Sequence, residues 1–278
     1  MKAGTVTRVT RGVASAVIVT AGLSGCTTGA EAGRKAADSA RTLVSTLTKA
    51  SDQAAGAGSA EVEMSVTMPG TGGRPVRLNG LYSWGNGLAV EAEMPAEDLR
   101  MEDLVADGTI TYRLVQGAYY YGIDPAPSGP YAGRTWLRIE ASAVLGERGA
   151  AGMNAGDNDP TAGLKSLKWA DEVTEIGRED VNGKSSVHYR ATVPVDRMGD
   201  AGAAFGAAGG GGGGATELVS DVWVDDKGMP SRLNQTLGSV IVDIDFLSFG
   251  VVKEIAVPPA ADTADITEAV RNGGTARG

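Results

Sequence analysis

Between Glu61 and Met94, apolar residues recur at every second position. Val62, Met64, Val66 and Met68 alternate with Glu61, Glu63, Ser65 and Thr67. Val76, Leu78, Gly80, Tyr82 and Trp84 alternate with Arg77, Asn79, Leu81 and Ser83. After the turn signal Gly85-Asn86-Gly87, Leu88, Val90, Ala92 and Met94 alternate with Ala89, Glu91 and Glu93. A period of two sends successive side chains to opposite faces of a strand. The pattern therefore predicts a three-stranded meander with one apolar and one polar face.

The same reading extends along the chain. Further strands are expected at 109–115, 118–123, 135–139, 173–178, 186–194, 217–225, 231–237 and 239–247. Asp225-Asp226-Lys227-Gly228 reads as the hairpin turn between two of them. Apolar residues at three- and four-residue steps from Ala36 to Ala54 predict a helix over 34–54, ended by Gly56 and Gly58. Shorter helices are expected at 140–148 and 160–170, the second with Asp159 as N-cap before Pro160. Residues 199–215 are a glycine- and alanine-rich insertion of low complexity, expected to be flexible. The fold class that follows is α+β: a large curved antiparallel β-sheet, about ten strands wide, forming a half-barrel wrapped over a few helices. So few helices over so wide a sheet would leave a gap on its apolar face. The residues expected to line it are Val62, Met64, Val66, Val76, Leu78, Tyr82, Leu88, Val90, Ala92 and Met94. A fully filled core is the competing expectation.

The first 25 residues have a different logic. Lys2, Arg8 and Arg11 precede a short apolar run, Val13 to Ala21, and then Leu23-Ser24-Gly25-Cys26. Charged, apolar and small-residue regions in that order mark a secretion signal, and the apolar run is too short to span a bilayer stably. The last four residues resemble the lipobox of bacterial lipoproteins, which implies that Cys26 is acylated and becomes the mature N-terminus. Residues 1–25 are then a signal peptide and 26–33 a tether to the membrane surface. The whole chain carries a formal charge of −9; without the leader it falls to about −12. That acidity argues against nucleic acid as a partner. With its one cysteine acylated, the mature chain has no disulfide and no thiolate metal site.

No catalytic set can be assembled. The one histidine, His188, shares its strand face with Arg190 and Thr192 and reads as a solvated surface residue. Asp157-Asn158-Asp159 and Asp225-Asp226 lack the glycine and distant glutamate of a calcium loop. The hexaglycine run 209–214 lacks the Lys-Ser/Thr of a phosphate loop. No metal, no cofactor and no enzymatic activity are expected.

The layout resembles the LppX/LprG-type lipoproteins of actinobacteria, which share their fold with the LolA/LolB carriers. The resemblance spans about 35–268. It rests on the leader, the N-terminal helix and the hairpin Asp221-Val222-Trp223-Val224-Asp225 to Gly228-Met229-Pro230-Ser231-Arg232. It also rests on the alternating strand 240–247, Phe249-Gly250, and Pro258-Pro259 with Asp262. It implies one domain over 34–268 followed by a disordered tail, 269–278. It implies a lipid-anchored protein on the extracytoplasmic face of the cell membrane that binds a lipid or acylated glycolipid, with a membrane transporter as an unidentified further partner. The alternative is a structural or signalling lipoprotein acting through protein contacts.

Overall fold

The structure, a computed structural model, describes residues 27–68, 72–153, 164, 166–170, 172–198 and 215–273. The leader with Cys26, the Asp157–Pro160 segment and residues 199–214 of the glycine-rich insertion lie outside the described residues.

Helix α1 (Thr27–Ala57) opens the described chain. It starts earlier than the expected 34, so residues 27–33, the expected tether, are helical. The compact body begins at Ser39. There Leu47, Ala50, Ser51 and Ala54 are buried at three- and four-residue steps, the spacing of one helix face. Gly58 ends the helix with φ +73°, a left-handed conformation open to glycine at little cost. Its carbonyl accepts hydrogen bonds from the backbone N–H groups of Trp84 and Gly85 at 2.8 and 2.9 Å. The Trp84 indole donates to the Ala55 carbonyl at 3.1 Å, so the helix end is tied to the sheet.

Among the described residues, twelve strands form one sheet. The first six are β1 (Ser59–Thr67), β2 (Pro75–Ser83), β3 (Ala89–Pro95), β4 (Thr109–Val115), β5 (Ala118–Gly122) and β6 (Trp136–Glu140). The other six are β7 (Glu172–Val181), β8 (Lys184–Pro194), β9 (Glu217–Asp225), β10 (Pro230–Leu237), β11 (Val240–Phe249) and β12 (Thr263–Asp265). Their spatial order is β12-β6-β5-β4-β3-β2-β1-β11-β10-β9-β8-β7. Two antiparallel meanders, β1–β6 and β7–β11, are therefore joined through the single β1–β11 pairing. Short helices complete the chain: α2 (Ala96–Leu99), α3 (Ala141–Met153, kinked at Gly146) and α4 (Thr267–Arg271). The α+β class and the large curved sheet with few helices are as expected.

Three expectations need correction. The sheet is not wholly antiparallel: β12 pairs parallel to β6, and so short a strand has no alternation to reveal it. The expected disordered tail, 269–278, begins inside α4, whose Val270 packs against the core. Of the helix expected at 160–170, Leu164 is helical and Ser166–Trp169 form a 3-10 turn. Leu164 and Leu167 there are fully buried in the core.

The sheet has an inner face, against α1, and an outer face. Under α1 the inner face carries the largest core, including Val62, Val193, Leu218, Val222, Leu233 and Phe246. At the far end, Ile110, Leu137 and Ile139 pack with Ala96, Met101 and Ile266, and with Val270 of α4. The outer face is not uniformly polar. After β11 the chain returns across it, and Ile255 with Val251 covers Leu81, Val115, Ala118 and Tyr120. Arg113 fixes this return: it donates to Glu91 Oε2 at 2.6 Å and to the Ala256 carbonyl at 3.1 Å. Lys253 binds the other oxygen of Glu91.

Four carboxylates on the sheet and its connections are held below the usual range. For Asp98, the hydrogen bonds from Arg77 outweigh burial. For Glu91, Asp245 and Asp265, burial pushes upward but is outweighed by hydrogen bonds and charge, from Lys253 and Arg113, from Arg232 and Asn182, and from Thr267 and Arg138. A depressed folded-state value gives stability that is complete above the unfolded value of about 4 and is lost as pH falls through the folded one. Urea midpoints are accordingly expected to fall between about pH 5 and about pH 2. A midpoint unchanged over that interval would show that these ion pairs contribute nothing.

Candidate functional site

The strand register builds the inner face in rows. One row runs Phe246, Val62, Gly80, Ala92, Tyr112, Tyr121, Leu137, crossing β11, β1, β2, β3, β4, β5 and β6. The next runs Ala60, Tyr82, Val90, Leu114, Tyr119, Ile139. Neither row contains a charged residue. The middle of the first row holds the small residues Gly80 and Ala92, framed by Tyr82, Val90 and Tyr112.

Val90, Ala92 and Leu114 form a cluster of their own, packed by Leu78, Tyr82, Leu88, Tyr112 and Tyr119. Among the described residues this cluster contains strand residues and the turn residue Leu88, and no helix side chain. It lies between the half of the inner face covered by α1 and the half covered by α2, α3 and α4. Its core is buried, but Leu78, Tyr82, Leu88, Tyr112 and Tyr119 are only half-buried.

The ten residues expected to line a gap therefore separate. Leu78, Tyr82, Leu88, Val90 and Ala92 meet in this patch, and Leu78 and Tyr82 also border the core under α1. Val62 lies fully buried under α1 with Met64 at its margin, in filled core. Met94 is buried; Val66 and Val76 are half-buried towards the strand ends, and these three belong to none of the apolar clusters. Tyr112, Leu114 and Tyr119 were not among the ten. Their strand alternation could have found them, since Ile110, Tyr112 and Leu114 share a face, as do Tyr119 and Tyr121. Tyr112 stacks on Tyr119 at 6.2 Å between centroids and meets Tyr121 at 5.6 Å. Burial pushes the Tyr112 phenol well above its ordinary value, helped by the neighbouring Tyr121, Tyr119 and Tyr82. Burial raises Tyr119 and Tyr121 as well.

Three hollows of mixed polar and apolar lining open on the outer face and at the rim, the first of them reaching Gly80 and Ala92 from the side opposite the patch. One of about 380 Å³ lies on the outer face among Asn79, Glu93, Thr111, Arg113 and Lys253. Another of about 600 Å³ lies among Arg77, Trp223, Arg232 and Asp245. A third, about 780 Å³, is at the rim, between Gly58, Asn86, Gln116 and Gly250.

His188 does not sit as expected. It is on the outer face but buried, its ring stacked on Trp223 at 4.1 Å between centroids. Its Nε2 lies 2.6 Å from Asp221 Oδ1 and its Nδ1 3.3 Å from Glu179 Oε1. Arg190 donates to both oxygens of Asp221 at 2.8 and 3.0 Å, and the Trp223 indole donates to Glu179 at 2.5 Å. The residue is a strut holding β7, β8 and β9 together, not a solvated side chain. Alternation places a residue on a face; it does not report that a neighbouring strand supplies an indole to cover it.

In three dimensions the chain is similar to the crystal structure of the Mycobacterium tuberculosis lipoprotein LppX. The TM-score is 0.52 at 13% identity, over 78% of this chain and 99% of that one. The fold is that of LppX. At this identity the likeness to LppX concerns the fold alone. In sequence, the chain is 27% identical over 255 residues to an uncharacterized 31.2 kDa protein of Streptomyces griseus, covering 84% of this chain and 83% of the other. It is 26% identical over 235 residues to a candidate lipoprotein of Streptomyces coelicolor, covering 79% and 73%. No protein-family model matches the chain.

Proposed function

We propose that this is a lipoprotein, anchored through acylated Cys26 on the outer side of the cell membrane, that holds a lipid against the inner face of its sheet. The observation that carries the reading is the half-buried patch of Leu78, Tyr82, Leu88, Tyr112 and Tyr119 around Ala92, an apolar cluster to which no helix side chain belongs among the described residues. A surface of this kind loses free energy when water is excluded from it, at about 25 cal/mol per Å² of apolar area. The Streptomyces coelicolor relative supports the anchor, and so does the order of charge, apolar run and Leu23-Ser24-Gly25-Cys26. Among the described residues no helix is long and apolar enough to cross a membrane; acyl chains on Cys26 would hold the protein there. No chemical step belongs to this reading: the one histidine is held between two carboxylates and an indole.

The test is direct. The protein purified from its own membranes should carry a stoichiometric lipid, seen by solvent extraction and mass spectrometry. A Cys26→Ala protein should lose labelling by a fatty-acid probe and leave the membrane fraction. Preparations that carry no lipid would favour a filled core and action through protein contacts; labelling of Cys26→Ala would remove the anchor.

A further inference from the structure

Tyr112 and Tyr121 stand opposite each other on β4 and β5, on the inner face beside the proposed lipid patch. Among the described residues neither hydroxyl has a hydrogen-bond partner. Yet among the described residues no buried side-chain nitrogen or oxygen goes unpartnered. Both hydroxyls must then reach open space. That space lies beside the apolar patch, where a bound lipid would replace water, and each phenol, raised by burial, keeps its proton and remains a donor. Two neutral donors facing outward from an apolar, uncharged wall are an incomplete hydrogen-bonding arrangement.

What completes it follows from the cost of the alternatives. A plain hydrocarbon would seal both hydroxyls away from water with nothing to accept from them, a penalty of the order expected for any buried unpaired donor. A carboxylate or phosphate would accept, but it would surrender its hydration against rows that offer no cation. A carbonyl oxygen accepts strongly, carries no charge and has two lone pairs, enough for both phenols.

We propose that Tyr112 and Tyr121 are the specificity-determining pair of this face, donating together to an ester carbonyl of the bound lipid. The proposal rests on the lipid-binding reading. It adds that the polar linkage of the lipid, and not only its chains, is read by the protein.

The test uses the full chain, purified from membranes and transferred from detergent into an amphipathic polymer. The probes are a fluorescent triacylglycerol, its trialkyl ether analogue with the same chains, and the corresponding free fatty acid. The wild type should bind the ester about tenfold more tightly than the ether, the scale of one to two hydrogen bonds, and the fatty acid more weakly still. In Tyr112→Phe/Tyr121→Phe the ester should bind no better than the ether, while ether affinity stays the same or rises. A wild type that binds ester and ether equally, or a fatty acid as tightly as the ester, overturns the proposal without a variant having to fold. Retention of the preference in the double variant overturns it as well. Failure of all three probes to bind the wild type would instead overturn the lipid reading, and this proposal with it.

Discussion

Replacing Gly80 with alanine is expected to unfold the protein or leave it barely stable. A β-carbon at this position would lie 2.2 Å from the Glu91 carbonyl oxygen and 2.5 Å from the Ala92 α-carbon. Both are backbone atoms of β3, so no side chain can turn aside to make room. The neighbours are fixed from the other side as well, since Glu91 holds Arg113 and Lys253 at the return segment. The methyl group must therefore part β2 from β3 in the middle of the sheet. Overpacking of this kind costs on the order of 3 kcal/mol, a large part of the stability of a typical domain. Urea denaturation of Gly80→Ala should show a large loss of midpoint, or no folded baseline. A loss below about 0.5 kcal/mol, the range of ordinary surface changes, would mean that β2 and β3 do not approach as closely as they do here.

A tryptophan at Ala92 should separate the two ways of using the inner face. Ala92 is almost fully buried, but it sits beside a glycine and is ringed by half-buried tyrosines and leucines. If the patch holds a lipid, the indole takes the lipid's place: co-purified lipid should disappear from Ala92→Trp while thermal unfolding stays cooperative. If the patch is merely loose core, the indole overpacks it at a cost of about 1–3 kcal/mol, and the wild type carries no lipid to lose. Lipid content and thermal stability are read on the same two preparations. A folded variant that keeps its lipid would move the binding surface away from Ala92.

These two positions also show what could be read from the chain. The alternation around Gly80 and Ala92 gave the faces of β1, β2 and β3 correctly, because burial of one face is recorded residue by residue. It could not report what covers a face. Leu81 and Val115 are apolar yet out of phase, and the residues that bury them, Val251 and Ile255, lie far away in sequence. Such out-of-phase apolar residues are the one local trace of the return segment. The same limit explains His188, whose cover comes from Trp223 on the next strand, and the split among the ten expected residues. Val62 and Ala92 follow the same pattern in sequence, yet only Val62 lies under α1.

The joining of the two meanders has a consequence for the order of assembly. Within β1–β6 and within β7–β11 each strand pairs with the one made just before it, so these pairings join segments that are near neighbours in sequence order. The β1–β11 seam is different: the Glu61–Ser248 hydrogen bond alone closes a separation of 187 residues. Contacts between such distant segments form slowly, because the intervening chain must first lose its freedom. Helix α1 depends on the same event, since the core it covers is built mostly from β8 to β11. A chain emerging N-terminus first therefore completes its first helix and first six strands well before their partners exist. During that wait the apolar stripe of α1 and the bare edge of β1 are exposed. The vulnerable period in the life of this protein is its birth, and the half at risk is the one made first.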